Sequence, residues 1–245
     1  MLIPKKSLGQ NFLIDRNICK KIINLSNIKY ENIIEIGPGT GQLTTEIIKD
    51  NPKKLVLIEK DENLINLLKI KYQSYKNIEF INCDALSYDY SKISNAIIFS
   101  NLPYNISTKI IFKLLLNFKN INHMIFMIQK EVAEKLDYKK TKKINKNNFF
   151  IFNSCFYKNV FNISNNVFYP KPKIQSSVIS LKPKNLDNLD LKKLKIFTDK
   201  IFKNKRKKLK NNITFDFENK KIKQLLDQRA ESLKNEDMMY LFNKF

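Results

Sequence analysis

Between Asn32 and Ser180 the chain alternates short runs that are apolar from end to end with longer stretches of helical character. NIIEI is followed by QLTTEIIKD, LVLIE by ENLINLLKIKY, and AIIFS by STKIIFKLLLNF; IEFINC and MIFMIQ complete the set, with KEVAEKL behind the last. A strand with one wet face alternates polar and apolar residues, whereas a parallel strand covered on both faces by crossover helices does not. The pattern therefore predicts an α/β fold built on a Rossmann-like, doubly wound, mainly parallel sheet. Ahead of it, Asp15 is placed to cap a helix carrying Ile18, Ile22 and Leu25 at helical spacing. Behind it, KPKNLDNLD at 182–190 reads as a hinge, after which Leu191, Leu194, Ile201, Phe202, Leu225, Leu226, Leu241 and Phe242 mark three helices. The expected division is a sheet domain over residues 1–185 and a small all-α C-terminal domain over residues 186–245.

Chain chemistry narrows the class of function. No apolar run approaches the roughly 18 residues of a membrane span, because IIFKLLLNF is broken by Lys113, and MLIPKK lacks the apolar core of a signal peptide. A cytoplasmic, monomeric protein is the expectation. The three cysteines, Cys19, Cys83 and Cys155, are odd in number and far apart, which suits reduced packing residues better than disulfides or a zinc site. With His123 the only histidine, no metal centre and no histidine-based catalysis are expected. The 45 basic residues against 23 acidic ones leave a net charge of +22, an attraction for polyanions, and nucleic acid above all. Only three of the basic residues are arginine, and the abundance of Lys, Asn and Ile matches drift in an AT-rich genome, so part of the charge is compositional. KIFKNKRKKLK at 200–210 carries seven basic side chains in eleven positions, either as a solvated helix or as a phosphate-contacting surface.

IIEIGPGTGQLT places three of the four glycines within five residues, at Gly37, Gly39 and Gly41. Glycines there allow positive φ and close approach of a ligand, and the helix that follows offers unpaired N–H groups. The spacing GxGxG matches neither the dinucleotide GxGxxG nor the phosphate-cradling GxxxxGK[ST] pattern, and a ligand-free turn between strand and helix would use glycines too. The next strand, LVLIE, ends in Glu59, a carboxylate able to accept hydrogen bonds from two ribose hydroxyls. IEFINC leads to Asp84, which suits an adenine amino group, and the fourth strand ends in Ser100 and Asn101. Ligands of open α/β sheets bind outside the carboxyl ends of the strands, the edge these residues share. Together they describe an adenosine site with no lysine for a phosphate, and S-adenosylmethionine has that shape.

The fourth strand runs directly into NLPY. Methylation of an exocyclic adenine nitrogen must overcome delocalisation of its lone pair into the ring. Acceptors for both amino hydrogens favour a pyramidal nitrogen, and the Asn101 side-chain carbonyl with the Leu102 main-chain carbonyl are candidates. Pro103 stiffens the loop and Tyr104 offers a stacking face. On this reading catalysis is positioning and preorganised polarity, with no general base acting before transfer.

These residues resemble the ribosomal RNA adenine dimethyltransferases, which modify two adjacent adenines near the 3′ end of small-subunit rRNA. KKSLGQNFL at 5–13, EIGPGTGQLT at 35–44, IEKD at 58–61, CDAL at 83–86, NLPYNIST at 101–108, QKEVAEKL at 129–136 and FYPKPKIQSSVISL at 168–181 follow the family's motif order. FKNKRKKLKNNI at 202–213 and QRAESL at 228–233 continue the resemblance more weakly. It implies an S-adenosylmethionine pocket lined by Asn11, Leu13, Gly37, Gly39, Glu59, Asp84 and Asn101. It also implies a target adenine held between Tyr104 and Phe168, KKSLGQN acting as a lid, and small-subunit rRNA or its assembling particle as partner. From the residues alone Phe168 reads as core, and only Pro170 and Pro172 beside it suggest an exposed loop. One departure stands out: the family commonly has Tyr-Gly before the strand expected to begin at FFIF, where this chain has Lys146 and Asn147. The rival readings are a large-subunit rRNA adenine methyltransferase of the macrolide-resistance type, a mainly non-catalytic assembly factor, and a DNA adenine methyltransferase. NLPY in place of NIPY favours the small-subunit enzyme.

Overall fold

The computed structural model describes residues 4–5, 9–92, 94–117, 120–184, 189–215 and 219–245. The centre of the expected hinge, 185–188, and residues 6–8 of the expected lid lie outside the described residues. In chain order the elements begin β1 (Phe12–Leu13), α1 (Arg16–Ile23), β2 (Asn32–Ile36), α2 (Gln42–Lys49), β3 (Lys54–Glu59), α3 (Glu62–Lys71) and β4 (Ile78–Asn82). They continue through β5 (Ala96–Asn101), α4 (Ser107–Leu115), β6 (Ile121–Gln129), α5 (Lys130–Leu136), α6 (Tyr138–Thr141) and α7 (Lys146–Ser154). β7 (Cys155–Ile163), β8 (Phe168–Tyr169), β9 (Ser176–Pro183), α8 (Leu191–Ile201), α9 (Lys220–Leu226) and α10 (Asn235–Lys244) complete the chain.

Seven strands form one sheet in the order β4-β3-β2-β5-β6-β9-β7. β4 through β6 pair in parallel, and β9 joins β6 antiparallel. The chain winds outward from β2 through β3 to β4, then returns to the other side of β2 with β5 and continues to β6, so strand order reverses between β2 and β5. The apolar runs have the physical cause inferred for them: Leu55, Leu57, Ile98, Phe99 and Phe126 are completely buried, each side chain contributing about 1.5–3 kcal/mol relative to exposure. The edge strand β4 is only partly buried, consistent with the polar positions in IEFINC. Asp15 caps α1 by accepting from the N–H groups of Asn17 and Ile18 at 2.8 and 3.0 Å. His123 is buried in β6 between Ser26 Oγ at 3.1 Å and Ser180 Oγ at 2.8 Å, and burial lowers its pKa to about 4, leaving it neutral.

The chain divides into two compact units, one of residues Met1–Ala133 with Lys158–Pro183, the other of Glu134–Tyr157 with Lys184–Phe245. The second unit thus takes in α6 and α7 as well as everything after the sheet. Its core centres on Phe197, whose ring meets Phe242 at 5.6 Å and Phe149 at 6.4 Å between centroids. The segment 203–208 is exposed turn rather than helix, because α8 ends at Ile201; Lys208 and Lys210 pair with Asp227 at 3.4 and 2.8 Å.

FFIF is helical, not the start of a strand. Asn145 caps α7 by accepting from Asn147 and Asn148 N–H at 2.9 and 3.0 Å, while Asn148 Oδ1 accepts the Asn145 N–H at 2.8 Å. Asn147 sits inside that first turn with no left-handed backbone, so the expected turn before FFIF is replaced by a capped helix. Asn148, fully buried, also donates to Lys143 O at 2.8 Å. Replacing Asn148 with Ala strands the Lys143 carbonyl and the Asn145 N–H. The expected loss is about 1–3 kcal/mol in urea unfolding, against about 1 kcal/mol for Asn145→Ala.

Candidate active site

Register determines which residues meet at the carboxyl edge of the sheet. Ile36 of β2 pairs with Ile58 of β3 and with Ser100 of β5. The next residues, Gly37, Glu59 and Asn101, therefore leave the sheet at one level. Adjacent strands lie about 4.8 Å apart, so Glu59 and Asn101 flank Gly37 across roughly 10 Å. A cavity of about 220 Å³ opens there, at the reversal of strand order. Its lining includes Asn11, Leu13, Gly37, Gly39, Glu59, Asp84, Asn101, Leu102, Pro103 and Tyr104. The structure brings all of these expected site residues together.

Phe168 is not among them. It is 3% exposed and packs in the core beside Leu13, its partner in the antiparallel pair of β1 and β8. The reading of this residue from its apolar character alone, as core, describes its position.

Gly37 and Gly39 adopt φ of +67° and +57°. A Cβ on Gly39 would sit 2.8 Å from Phe12 Cδ1, so the turn and the segment over it are fitted to each other. At Gly37 nothing closer than Asn101 O at 4.0 Å would meet a Cβ, which leaves its main chain open to the cavity.

Glu59 is 8% exposed and accepts N–H bonds from Gly39 at 3.2 Å and Asp61 at 2.9 Å; burial raises its pKa despite these bonds. Asp84 lies in the turn after β4, where Lys60 Nζ at 2.8 Å and the Leu86 N–H at 2.8 Å hold its pKa below the ordinary value. Asn101 ends β5 and donates from Nδ2 to Asn11 O at 2.7 Å, while the Leu102 N–H bonds Met127 O at 3.1 Å. Leu102 is buried, and the Tyr104 hydroxyl meets Ser176 Oγ at 2.8 Å.

Two buried carboxyls escaped the sequence reading, Glu35 in the cavity lining and Asp61 beyond it. Glu35, in β2, is 2% exposed and accepts from Thr44 Oγ1 at 2.6 Å. Burial raises its pKa to about 8, so it holds a proton at neutral pH. Asp61 is 5% exposed and takes Lys5 Nζ at 2.8 Å on one oxygen and Gln10 Nε2 at 3.0 Å on the other, while capping α3 through Asn63 N–H. Lys5 and Gln10 are more than 50 positions away, beyond any local pattern; the only signal was the acid in IEKD beside a basic motif. Among the described residues no cluster of His, Cys, Asp and Glu is arranged to hold a metal ion, and no helix is long and apolar enough to cross a membrane.

An open sheet of this order, with a glycine turn and a ligand cavity at its reversal, is the class I methyltransferase fold. A dimethyladenosine transferase from Plasmodium falciparum superposes with a TM-score of 0.78 at 25% identity, over 95% of this chain and 98% of that one. The ribosomal RNA adenine dimethylase family matches residues 2–245, and the chain belongs to that family as an rRNA adenine dimethyltransferase. Ribosomal RNA small subunit methyltransferase A of Malacoplasma penetrans is 38% identical over 244 residues, 94% of this chain and 88% of that protein. Its counterpart in Pelagibacter ubique is 41% identical over 229 residues, 89% of this chain and 85% of that one.

Two expectations follow. Unfolding exposes Glu35, which then ionises near its ordinary value of 4.5, so the folded state binds the extra proton between there and about 8. Stability from this group is complete below pH 4.5 and is lost as pH rises to about 8. In Glu35→Gln, which still accepts from Thr44, urea midpoints measured across that window should fall less than in the wild type. Asp61→Asn retains a good helix cap but removes the charge that holds Lys5 and Gln10. Limited proteolysis before Asn11 should then accelerate roughly tenfold, the equivalent of about 1.4 kcal/mol, at an unchanged circular dichroism spectrum.

Proposed function

We propose that the cavity binds S-adenosylmethionine, and that the chain uses it to dimethylate the exocyclic amino groups of two adjacent adenines near the 3′ end of small-subunit rRNA. The residues present fit that cofactor. Glu59 and Asp84 are carboxylates, and Lys60, the one lysine of the lining among the described residues, is tied to Asp84. A phosphate group would face repulsion in such a lining, whereas a cationic donor is attracted. Glu59 would hold the ribose hydroxyls, Asp84 the adenine amino group, and the backbone of Gly37 and Gly39 the part of the donor nearest the turn. Asn11 and Leu13 would close over it. Bound there, the group supplies an electrophilic methyl on a sulfonium.

The observation that carries the reading is the hydrogen bond from Asn101 Nδ2 to Asn11 O, which fixes the side-chain amide with its oxygen as the remaining acceptor. Beside it Leu102 contributes a main-chain carbonyl at a position locked by its N–H bond to Met127. Two acceptors of this kind would take the two amino hydrogens of a target adenine and free its lone pair for the methyl. Tyr104, tethered to Ser176, supplies an aromatic wall for a base taken out of its stack. A second wall at Phe168 would require that ring to leave the core. Pro103 keeps the loop from donating a hydrogen bond of its own at this point. The small-subunit substrate is supported by the names of the relatives, and an rRNA substrate places the reaction in the cytoplasm or in contact with it. The net charge of +22 and the exposed basic turn at 203–208 supply non-specific attraction to the RNA backbone.

Asn101→Ala should lower methyl transfer at least 100-fold while leaving retention of RNA intact, by analogy with removal of one preorganised polar group elsewhere. The check is mass spectrometry of rRNA after incubating small and large subunits separately with labelled donor. Two dimethyladenines confined to small-subunit RNA are expected; label found only in large-subunit RNA would sink the substrate assignment, and near-normal activity of the variant would sink the role of Asn101.

A further inference from the structure

The ribbon of β1 and β8 has two faces. Residues directly opposite across an antiparallel pair project to the same side, so Leu13 shares a side with Phe168, and Phe12 with Tyr169. The first side is mostly core, with Leu13 and Phe168 at 6% and 3% exposure, although Leu13 also borders the cavity. The second faces the cavity: Phe12 lines it and its ring lies against Gly39. Tyr169 stands on that second side one strand spacing, about 5 Å, from Phe12, and is 55% exposed. Among the described residues its ring and hydroxyl have no hydrogen-bonding or aromatic partner. The loop that presents it is held in place by Asn165 Nδ2 donating to Pro172 O at 3.2 Å and by the Lys130 N–H donating to Gln175 O at 3.0 Å. Lys171 and Lys173, both exposed, extend from the same loop.

We propose that Tyr169 is a stacking platform for the nucleotide that adjoins the target adenine. The inference rests on the reading of the cavity as an adenine methylation site and adds a subsite to it. Taking one base out of a stack bares a face of its neighbour, and a rigid exposed aromatic beside the cavity mouth covers that face without reading sequence. The two lysines meet the flanking phosphates as exposed, mobile charges. The neighbour of one target is the other target, so the platform holds the second adenine while the first reacts.

The test uses the full-length protein and small subunits reconstituted with a synthetic 3′ rRNA segment. Tyr169→Ala should raise KM for these subunits about tenfold, within the range that loss of one aromatic–base stack gives, while kcat and donor affinity stay near wild type. Tyr169→Phe should restore the wild-type KM. An abasic nucleotide next to a single target adenine should raise the wild-type KM by a similar factor and add nothing further in Tyr169→Ala. Independent, multiplying effects of the variant and the abasic site would overturn the proposal, as would a Phe variant as impaired as Ala or an Ala variant with wild-type KM. Failure of the wild type to methylate the intact segment would instead refute the underlying reading of the cavity.

Discussion

Parallel hydrogen bonding of β3 and β5 to the two sides of β2 sets the level at which three chain segments leave the sheet. A shift of either strand by one residue would turn every buried side chain of that strand to the opposite face, so the register is enforced by the whole core rather than by the site. Because Ile36 is level with Ile58 and Ser100, the glycine turn, the Glu59 carboxylate and the Asn101 amide form a row across the sheet edge. Their separation is a multiple of strand spacing, which makes it insensitive to side-chain motion. The site inherits its rigidity from the backbone ladder, and functional groups on strand ends need only correct rotamers to be in place.

Local and global electrostatics have opposite signs here. The chain carries +22 overall, yet among the described residues the cavity lining holds Glu59 and Asp84 with one paired lysine. The global field acts over roughly 8 Å in cell-like salt and draws in a polyanion without specifying where it docks. The lining acts at contact distance, where carboxylates attract positive charge and repel phosphate. In the proposed reading, such a division would keep backbone phosphates outside the cavity while a base enters. Glu35 keeps this balance by remaining protonated: a third negative charge against Glu59 would face the same burial cost that already raises the pKa of both.

Elements whose signal is local were legible in the sequence, and those decided by distant partners were not. The buried strands, the α1 cap at Asp15 and the glycine turn each depend on residues within a few positions. NLPY belongs with them once the strand before it is recognised. FFIF shows the limit: a four-residue apolar run suits a buried strand and a buried helix equally, and the choice fell to an Asn145–Asn148 capping box that apolar periodicity does not register. Phe168 shows another. Its flanking prolines suggested exposure, but alternation along β8 turns successive residues to opposite sides, and pairing with Leu13 gave the core to Phe168 and the open side to Tyr169. The bond between Gln10 and Asp61 spans 51 positions and could be found only in three dimensions. Residues 134–157 lie between strands of the sheet in chain order, and the polar run YKKTKKINKNN at 138–148 reads as a loop as readily as a unit boundary, so their clustering with the second unit is decided by distant contacts.

The segment around Gln10 and Asn11 ties the two ends of the row together. Gln10 and Lys5 hold the Asp61 side chain, and the Asp61 main-chain N–H holds Glu59. One residue further on, Asn11 O holds the amide of Asn101. A displacement of this segment therefore removes a partner from Asp61, the neighbour of Glu59, and from the Asn101 amide at once. Freed of Asn11, the Asn101 side chain gains a rotation that exchanges donor and acceptor, and in its proposed role a donor aimed at the target amino group would oppose the chemistry. In the proposed reading, covering the cofactor and orienting the Asn101 amide toward a base would thus be two consequences of a single packing event.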